Sequence, residues 1–149
     1  MSTPHAARQR WMRALALGTQ SRLEAAWNAL EAPPAYNLLR RPEVGLVMLQ
    51  GRAGNNGPRF NLGEMSVTRC SVVLQDGPAG HAWIAGRRPR HAELAALFDA
   101  LMQRPDLEAR LEAALIGPLL AEREAELARR AAEVEPTRVN FFTMKRGED

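Results

Sequence analysis

The sequence predicts an α+β domain: an antiparallel sheet of about four or five strands, covered by helices mainly on one face, with an αα-hairpin at the N-terminus. Three observations carry this reading. Apolar residues recur at three- and four-residue spacing near both ends of the chain, as in amphipathic helices. Between about 36 and 87 the period shortens to two and turn-forming pairs interrupt it. At 149 residues the chain is long enough for one core and short for two, so 1–149 reads as a single domain.

Thr3 followed by Pro4 supplies an N-cap and a first helical residue, and Trp11, Leu15 and Gly18 fit a helix ending there. A second helix follows at once. Ser21 and Glu24 have capping-box spacing, Leu23, Ala26, Trp27 and Leu30 form one stripe, and Pro33-Pro34 stops it.

In "EVGLVMLQGR", 43–52, Val44, Leu46 and Met48 alternate with Val47 and Leu49. Both sides are apolar, which predicts a central strand. "SVTRCSVVLQ", 66–75, sets Thr68, Cys70, Val72 and Leu74 against Val67, Arg69, Ser71 and Val73, and Asp76-Gly77 turns the chain into "GHAWIAGR". The intervening glycines 51, 54 and 57 suggest a phosphate loop at first sight. Pro58 stands where a Walker loop requires Lys-Ser/Thr, and strand-like sequence follows where a Rossmann fingerprint requires a helix. The stretch therefore reads as a hairpin loop, with Asn56-Gly57 as its turn.

Pro89 opens a helix carrying Leu94, Leu97, Phe98, Leu101 and Met102, and Arg104-Pro105-Asp106 interrupts it. A shorter helix runs to Ile116, where Gly117-Pro118 is expected to bend the chain. The helix after it is mostly charged: a solvated face, or an interaction rod. The closing "TRVNFFTMKRGED" is a last strand candidate with Val139 and Phe141 on one side and Phe142 and Met144 on the other. Both sides need cover, within the sheet or from another chain, which makes these four residues candidates for a partner interface.

The net charge of +3 is spread among nearly as many acids, so nucleic acid is not an expected partner; a small anion or an acidic protein is compatible. Apolar runs are too short to span a bilayer, the N-terminus lacks the apolar centre of a signal peptide, and a single cysteine fits a reducing compartment. A cytoplasmic location is expected. Arg52, Arg59, Arg69 and Arg87, at or near strand ends, are candidates for a bidentate anion site, or else ordinary solvent-facing rims. Cys70 lacks an assignable base and reads as packed rather than nucleophilic. His5, His81 and His91 lack metal-ligand spacing, so no metal is expected. His91 and Glu93, with Arg87 and Arg88 before them, offer a helix N-terminus to an anion or to water. No catalytic residue can be assigned.

Six segments, in their order, carry a resemblance that runs nearly end to end: "RQRWM" at 8–12, "EVGLVMLQGR" at 43–52, "FNLGEMSVTRC" at 60–70, "GHAWIAGR" at 80–87, "AELAALFDALMQ" at 92–103 and "RVNFFTMKRGED" at 138–149. They resemble the PhnG family, a subunit of the bacterial carbon–phosphorus lyase system. The resemblance implies a core complex with PhnH, PhnI and PhnJ, and association with PhnK and PhnL. It implies a shared reaction in which the ribose 5-triphosphate part of ATP passes to a phosphonate such as methylphosphonate and adenine is released. ATP is then a substrate of the complex, PhnI the seat of the chemistry, and this chain an accessory subunit without a cofactor. The iron–sulfur cluster and S-adenosylmethionine implied for PhnJ have no counterpart in a chain with one cysteine.

Overall fold

The computed structural model describes residues 4–54 and 56–135. Helices α1 (Pro4–Leu17) and α2 (Gln20–Asn28) lead into strands β1 (Tyr36–Arg52), β2 (Arg59–Leu74) and β3 (Ala79–Ala85). Helices α3 (Pro89–Met102), α4 (Pro105–Leu111) and α5 (Gly117–Val134) follow. The strands form an antiparallel sheet in the order β1-β2-β3, so the described residues give it three strands rather than four or five. The further strand candidate containing Val139, Phe141, Phe142 and Met144 lies outside the described residues.

Among the described residues the central strand is β2, and β1 lies at the edge. Apolar residues on both sides of β1 signal that both faces want cover, which is a different requirement from having both edges paired. Pro42, inside β1, has no N–H to give a second neighbour and fits an edge strand.

Helix α3 is the core of the molecule. Every residue from Leu94 to Met102 is buried, because the helix packs against β2 and β3 on one side and receives α1 and α2 on the other. On the sheet, Thr68, Cys70, Val72, Leu74, Ala82 and Ile84 face it. Close approach depends on small residues: a Cβ on Gly80 would lie 2.0 Å from the Ala96 carbonyl oxygen and 2.5 Å from the Ala100 nitrogen.

Helices α1 and α2 are both present, but they do not pair as a hairpin. Each lies on α3, and contacts between the two are few. The expected Ser21–Glu24 capping box is absent: α2 starts at Gln20 after an extended Thr19, Ser21 Oγ reaches Thr19 Oγ1 at 3.3 Å, and Glu24 accepts from Gln20 Nε2 at 2.9 Å. Thr3 lies outside the described residues. At Gly117-Pro118, where a bend is expected, the helical hydrogen bonding runs on through a π-turn over Glu112–Ile116 in which the Gly117 N–H donates to the Glu112 carbonyl. Widening the turn before Pro118 shifts the hydrogen-bond register and accommodates a residue that has no N–H to give.

One buried charge ties the layers together. Asp99 of α3 is fully buried and accepts from Arg8 Nε at 3.1 Å and Arg8 Nη2 at 2.7 Å. Trp11 Nε1 donates to it at 2.9 Å, as does the His81 backbone N–H at 2.9 Å. Four donors from α1 and β3 thus satisfy one carboxylate, and removing it would orphan all of them.

Candidate partner and anion interface

The pairing of β1 with β2 runs from Tyr36 opposite Leu74 to Arg52 opposite Arg59, whereas β3 pairs only with Val67–Val73. Beyond Val67 the two long strands continue as a ribbon without a third strand among the described residues. Its side chains are apolar and exposed: Leu46 is 62% accessible, Met48 52%, Phe60 47% and Leu62 63%. Leu46 and Met48 stand on one face and Phe60 and Leu62, beside Gly51, on the other; scattered exposed leucines are ordinary, but exposed apolar side chains gathered on both faces of one projecting element mark an interaction site. Leu62 is the extra residue of a bulge, since Leu49 opposes Gly63 while Gln50 opposes Asn61.

The ribbon closes in a turn in which, among the described residues, Gly54 is left-handed at φ 59°, rather than the expected Asn56-Gly57 pair. Gly57 is required for a different reason. Its N–H donates to the Ala53 carbonyl at 2.9 Å, and a Cβ there would lie 2.0 Å from that oxygen. Just behind the turn, Arg52 and Arg59 stand directly opposite each other, and neither meets a carboxylate among the described residues. Like charges in a cross-strand pair repel, so the tip is a cationic pair that favours an external anion.

The other two arginines are elsewhere. Arg69 Nε donates to Glu43 at 2.5 Å, Arg40 donates to the same carboxylate, and the Arg69 guanidinium lies 5.6 Å from the centroid of Trp83. Hydrogen bonds from Arg40 and then Arg69 hold the Glu43 carboxyl below the usual carboxylate range. Ten residues of extended strand, roughly 33 Å, separate Arg59 from Arg69. Arg87 follows Gly86, whose N–H donates to the Ser66 carbonyl at 2.7 Å, which puts it at the base of the ribbon. Arg52 and Arg59 therefore meet at the tip, and Arg69 and Arg87 do not join them.

The remaining candidates are committed to the core. Cys70 is buried, and burial pushes its thiol up to about 11, far from a nucleophile's range. His91 is fully buried with Nε2 2.8 Å from the Leu15 carbonyl, and burial pushes its pKa down, so it is a neutral packing residue. Glu93 accepts from the Tyr36 hydroxyl at 2.6 Å and from Arg90 at 3.3 Å. Neither side chain turns the start of α3 toward an anion. Among the described residues no three His, Cys, Asp or Glu side chains form a group that could hold a metal ion. No helix among them is long and apolar enough to cross a membrane.

Two features escape a reading of spacing alone. The Arg8–Trp11–Asp99 cluster joins residues about ninety positions apart, and periodicity carries no sign of it. The exposed ribbon did leave a signal: Pro42 demotes β1 to an edge, and an edge strand with apolar residues on both faces awaits another surface.

Comparison with known proteins accounts for nearly the whole chain. Residues 6–147 match the family described as "Phosphonate metabolism protein PhnG". A relative from Rhizobium meliloti (strain 1021), alpha-D-ribose 1-methylphosphonate 5-triphosphate synthase subunit PhnG, is 45% identical over 144 residues, covering 97% of this chain and 92% of the relative. With that similarity spread from α1 through the ribbon to the last helix, the chain belongs to the PhnG family of phosphonate metabolism proteins.

Proposed function

We propose that this chain is a subunit of an alpha-D-ribose 1-methylphosphonate 5-triphosphate synthase and serves there as an accessory, assembly-forming component. The observation that carries the proposal is the 45% identity, over nearly both whole lengths, to a subunit of that synthase. In the reaction, a phosphonate oxygen replaces adenine at the anomeric carbon of ATP, giving ribose 1-methylphosphonate 5-triphosphate and free adenine. PhnI is the partner expected to hold the reacting atoms, PhnH and PhnJ complete the core, and PhnL and PhnK associate with it. The location is cytoplasmic, and ATP is a substrate of the assembly rather than a cofactor of this chain.

The accessory role is supported by where the chain keeps its chemistry and where it keeps its apolar surface. Its buried thiol, imidazole and carboxylate are used in packing, while Leu46, Met48, Phe60 and Leu62 are left outside. A sheet of four or five strands is then a property of the assembled complex. The test is reconstitution with PhnH, PhnI and PhnL and measurement of adenine release from ATP plus methylphosphonate. Release that disappears when this chain is omitted is the expected result; unchanged release would overturn the proposal.

A second reading is favoured by the uncompensated Arg52–Arg59 pair: the tip contributes positive charge to an interfacial site for the ATP triphosphate or the phosphonate. Arg52→Ala with Arg59→Ala would then raise the KM for one of these substrates while the complex still assembles. Under the same reading Arg69 and Arg87 act separately, Arg69 being already engaged by Glu43.

A further inference from the structure

The edge of β1 that no strand pairs with among the described residues differs sharply along its length. From Tyr36 to Pro42 it is blunted: the register with β2 shifts twice, between Leu38 and Arg40 and between Arg40 and Glu43, and Arg40, Arg41 and Pro42 follow one another. From Glu43 to Leu49 the pairing is unbroken, seven successive residues in register with Arg69 back to Gly63. That regular stretch contains no proline or lysine, and its one charge, Glu43, is already held by Arg40 and Arg69. The opposite edge of the ribbon, on β2, is interrupted by the bulge at Leu62. Protein sheets guard unpaired edges with bulges, charges and proline. Here the guards stop at Pro42, although exposed apolar side chains continue past it through Val44, Leu46 and Met48.

We infer that the Glu43–Leu49 edge of β1 takes an added strand from a different subunit of the complex, one with an apolar middle and a carboxylate placed to meet Arg52 or Arg41. Alternate backbone N–H and C=O groups of β1 bond the incoming strand, and Leu46 and Met48 on one face and Val47 on the other pack against its neighbours. Charge decides between a foreign strand and a second copy of this chain. Opposed residues of an antiparallel pair share a face, so the regular stretch 43–49 can pair with its own copy only about Leu46, which brings Arg52 opposite Arg40 and beside Arg41 of the other copy. Arg40 already shares Glu43 with Arg69, and Arg41 and Arg52 have no ion-pair partner among the described residues, so self-pairing crowds like charges at each end. An acidic partner strand relieves both positions and the repulsion between Arg52 and Arg59. This inference rests on the synthase-subunit reading and specifies which surface of the chain makes the assembly.

The experiment is co-expression of the full chain with the other synthase subunits, recovery of the complex through a tag on one of those, and quantification of this chain in it. Leu46→Glu combined with Met48→Glu is expected to lower recovery about tenfold or more, as burying unpaired carboxylates at an interface centre does. Arg52→Glu combined with Arg59→Glu is expected to lower it severalfold at low salt, with a smaller difference from wild type at high salt. All four positions are exposed, and unchanged far-UV circular dichroism of the variants establishes that they fold. Hydrogen exchange within the wild-type complex is expected to show slowed amides between Val44 and Leu49. Recovery at the wild-type level for both double variants overturns the inference, as does a concentration-dependent homodimer abolished by the Leu46/Met48 variant. A raised KM for ATP with intact assembly in the arginine variant overturns the role given to the arginines. If adenine release requires the chain but the variants assemble normally, the edge inference alone fails; if release never requires the chain, the function proposed above fails.

Discussion

The two ends of one pair of strands behave as opposites. Where β2 runs from Val67 to Leu74 it has β3 beside it and α3 over one face, and its inward residues Thr68, Cys70, Val72 and Leu74 are buried. Where the same strand runs from Arg59 to Ser66 it has, among the described residues, only β1 beside it, and Phe60 and Leu62 are exposed. Both halves carry apolar side chains, but those of the 59–66 half are left without cover among the described residues. The covered half is complete as a folding unit: its buried carboxylate has four donors and its glycine admits the helix. The ribbon also carries apolar residues, and in the proposed assembly another surface covers them.

If the covered half carries the stability, damage there should be large. Asp99→Ala leaves Arg8, the Trp11 indole and the His81 N–H without their acceptor inside the core. A loss of about 3–5 kcal/mol is expected, read from denaturant unfolding. Gly80→Ala drives a methyl into the backbone of α3 at Ala96 and is expected to cost about 1–3 kcal/mol by the same measurement. Leu46→Glu on the ribbon should change the unfolding free energy by about 0.5 kcal/mol or less, because its side chain is largely exposed before assembly. A large loss from Leu46→Glu would erase the contrast between the halves.

A subtler sign of the covered half is its pH response. Burial holds the His91 pKa below its ordinary 6.5, so on acidification the unfolded chain takes up this proton before the folded one does. His91 is neutral in both states above the unfolded value, and its contribution is intact there. Stability should fall as the pH drops below about 6.5 toward the lowered folded value, and the slope in that window should flatten in His91→Gln. Unfolding midpoints measured between pH 7 and 5 provide the check. A slope unaltered by the substitution would assign the response to another group.

These contrasts also explain what could be read from the chain. The helices of the core were legible because their burial is one-sided and local: Leu94, Leu97, Phe98 and Leu101 repeat at helical spacing, and Pro89 and Pro105 mark helix starts. The strands were legible for the same reason, with Thr68, Cys70, Val72 and Leu74 turned together toward α3. What could not be read was who sits beside whom. A two-sided apolar strand such as β1 states a need for cover without naming its source, so it reads as central although Pro42 points to the edge position it holds among the described residues. The arginines were misgrouped because strand ends lie at both ends of a sheet: Arg52 and Arg59 flank one turn, while Arg69 sits roughly 33 Å along the strand beside Glu43. The Asp99 cluster depends on α1 and β3 meeting at α3, a tertiary fact with no local signature.

Hydrogen exchange of the full-length chain, alone and within the reconstituted synthase, tests the central claim most directly. In the isolated chain the amides of α3 should be slow and the outward amides between Val44 and Leu49 fast. On assembly α3 should change little, while the 44–49 amides slow by about tenfold or more, as newly paired strand amides do. Amides at 44–49 that exchange equally fast in both states would contradict the account, for the ribbon would then be a bare edge that no partner meets.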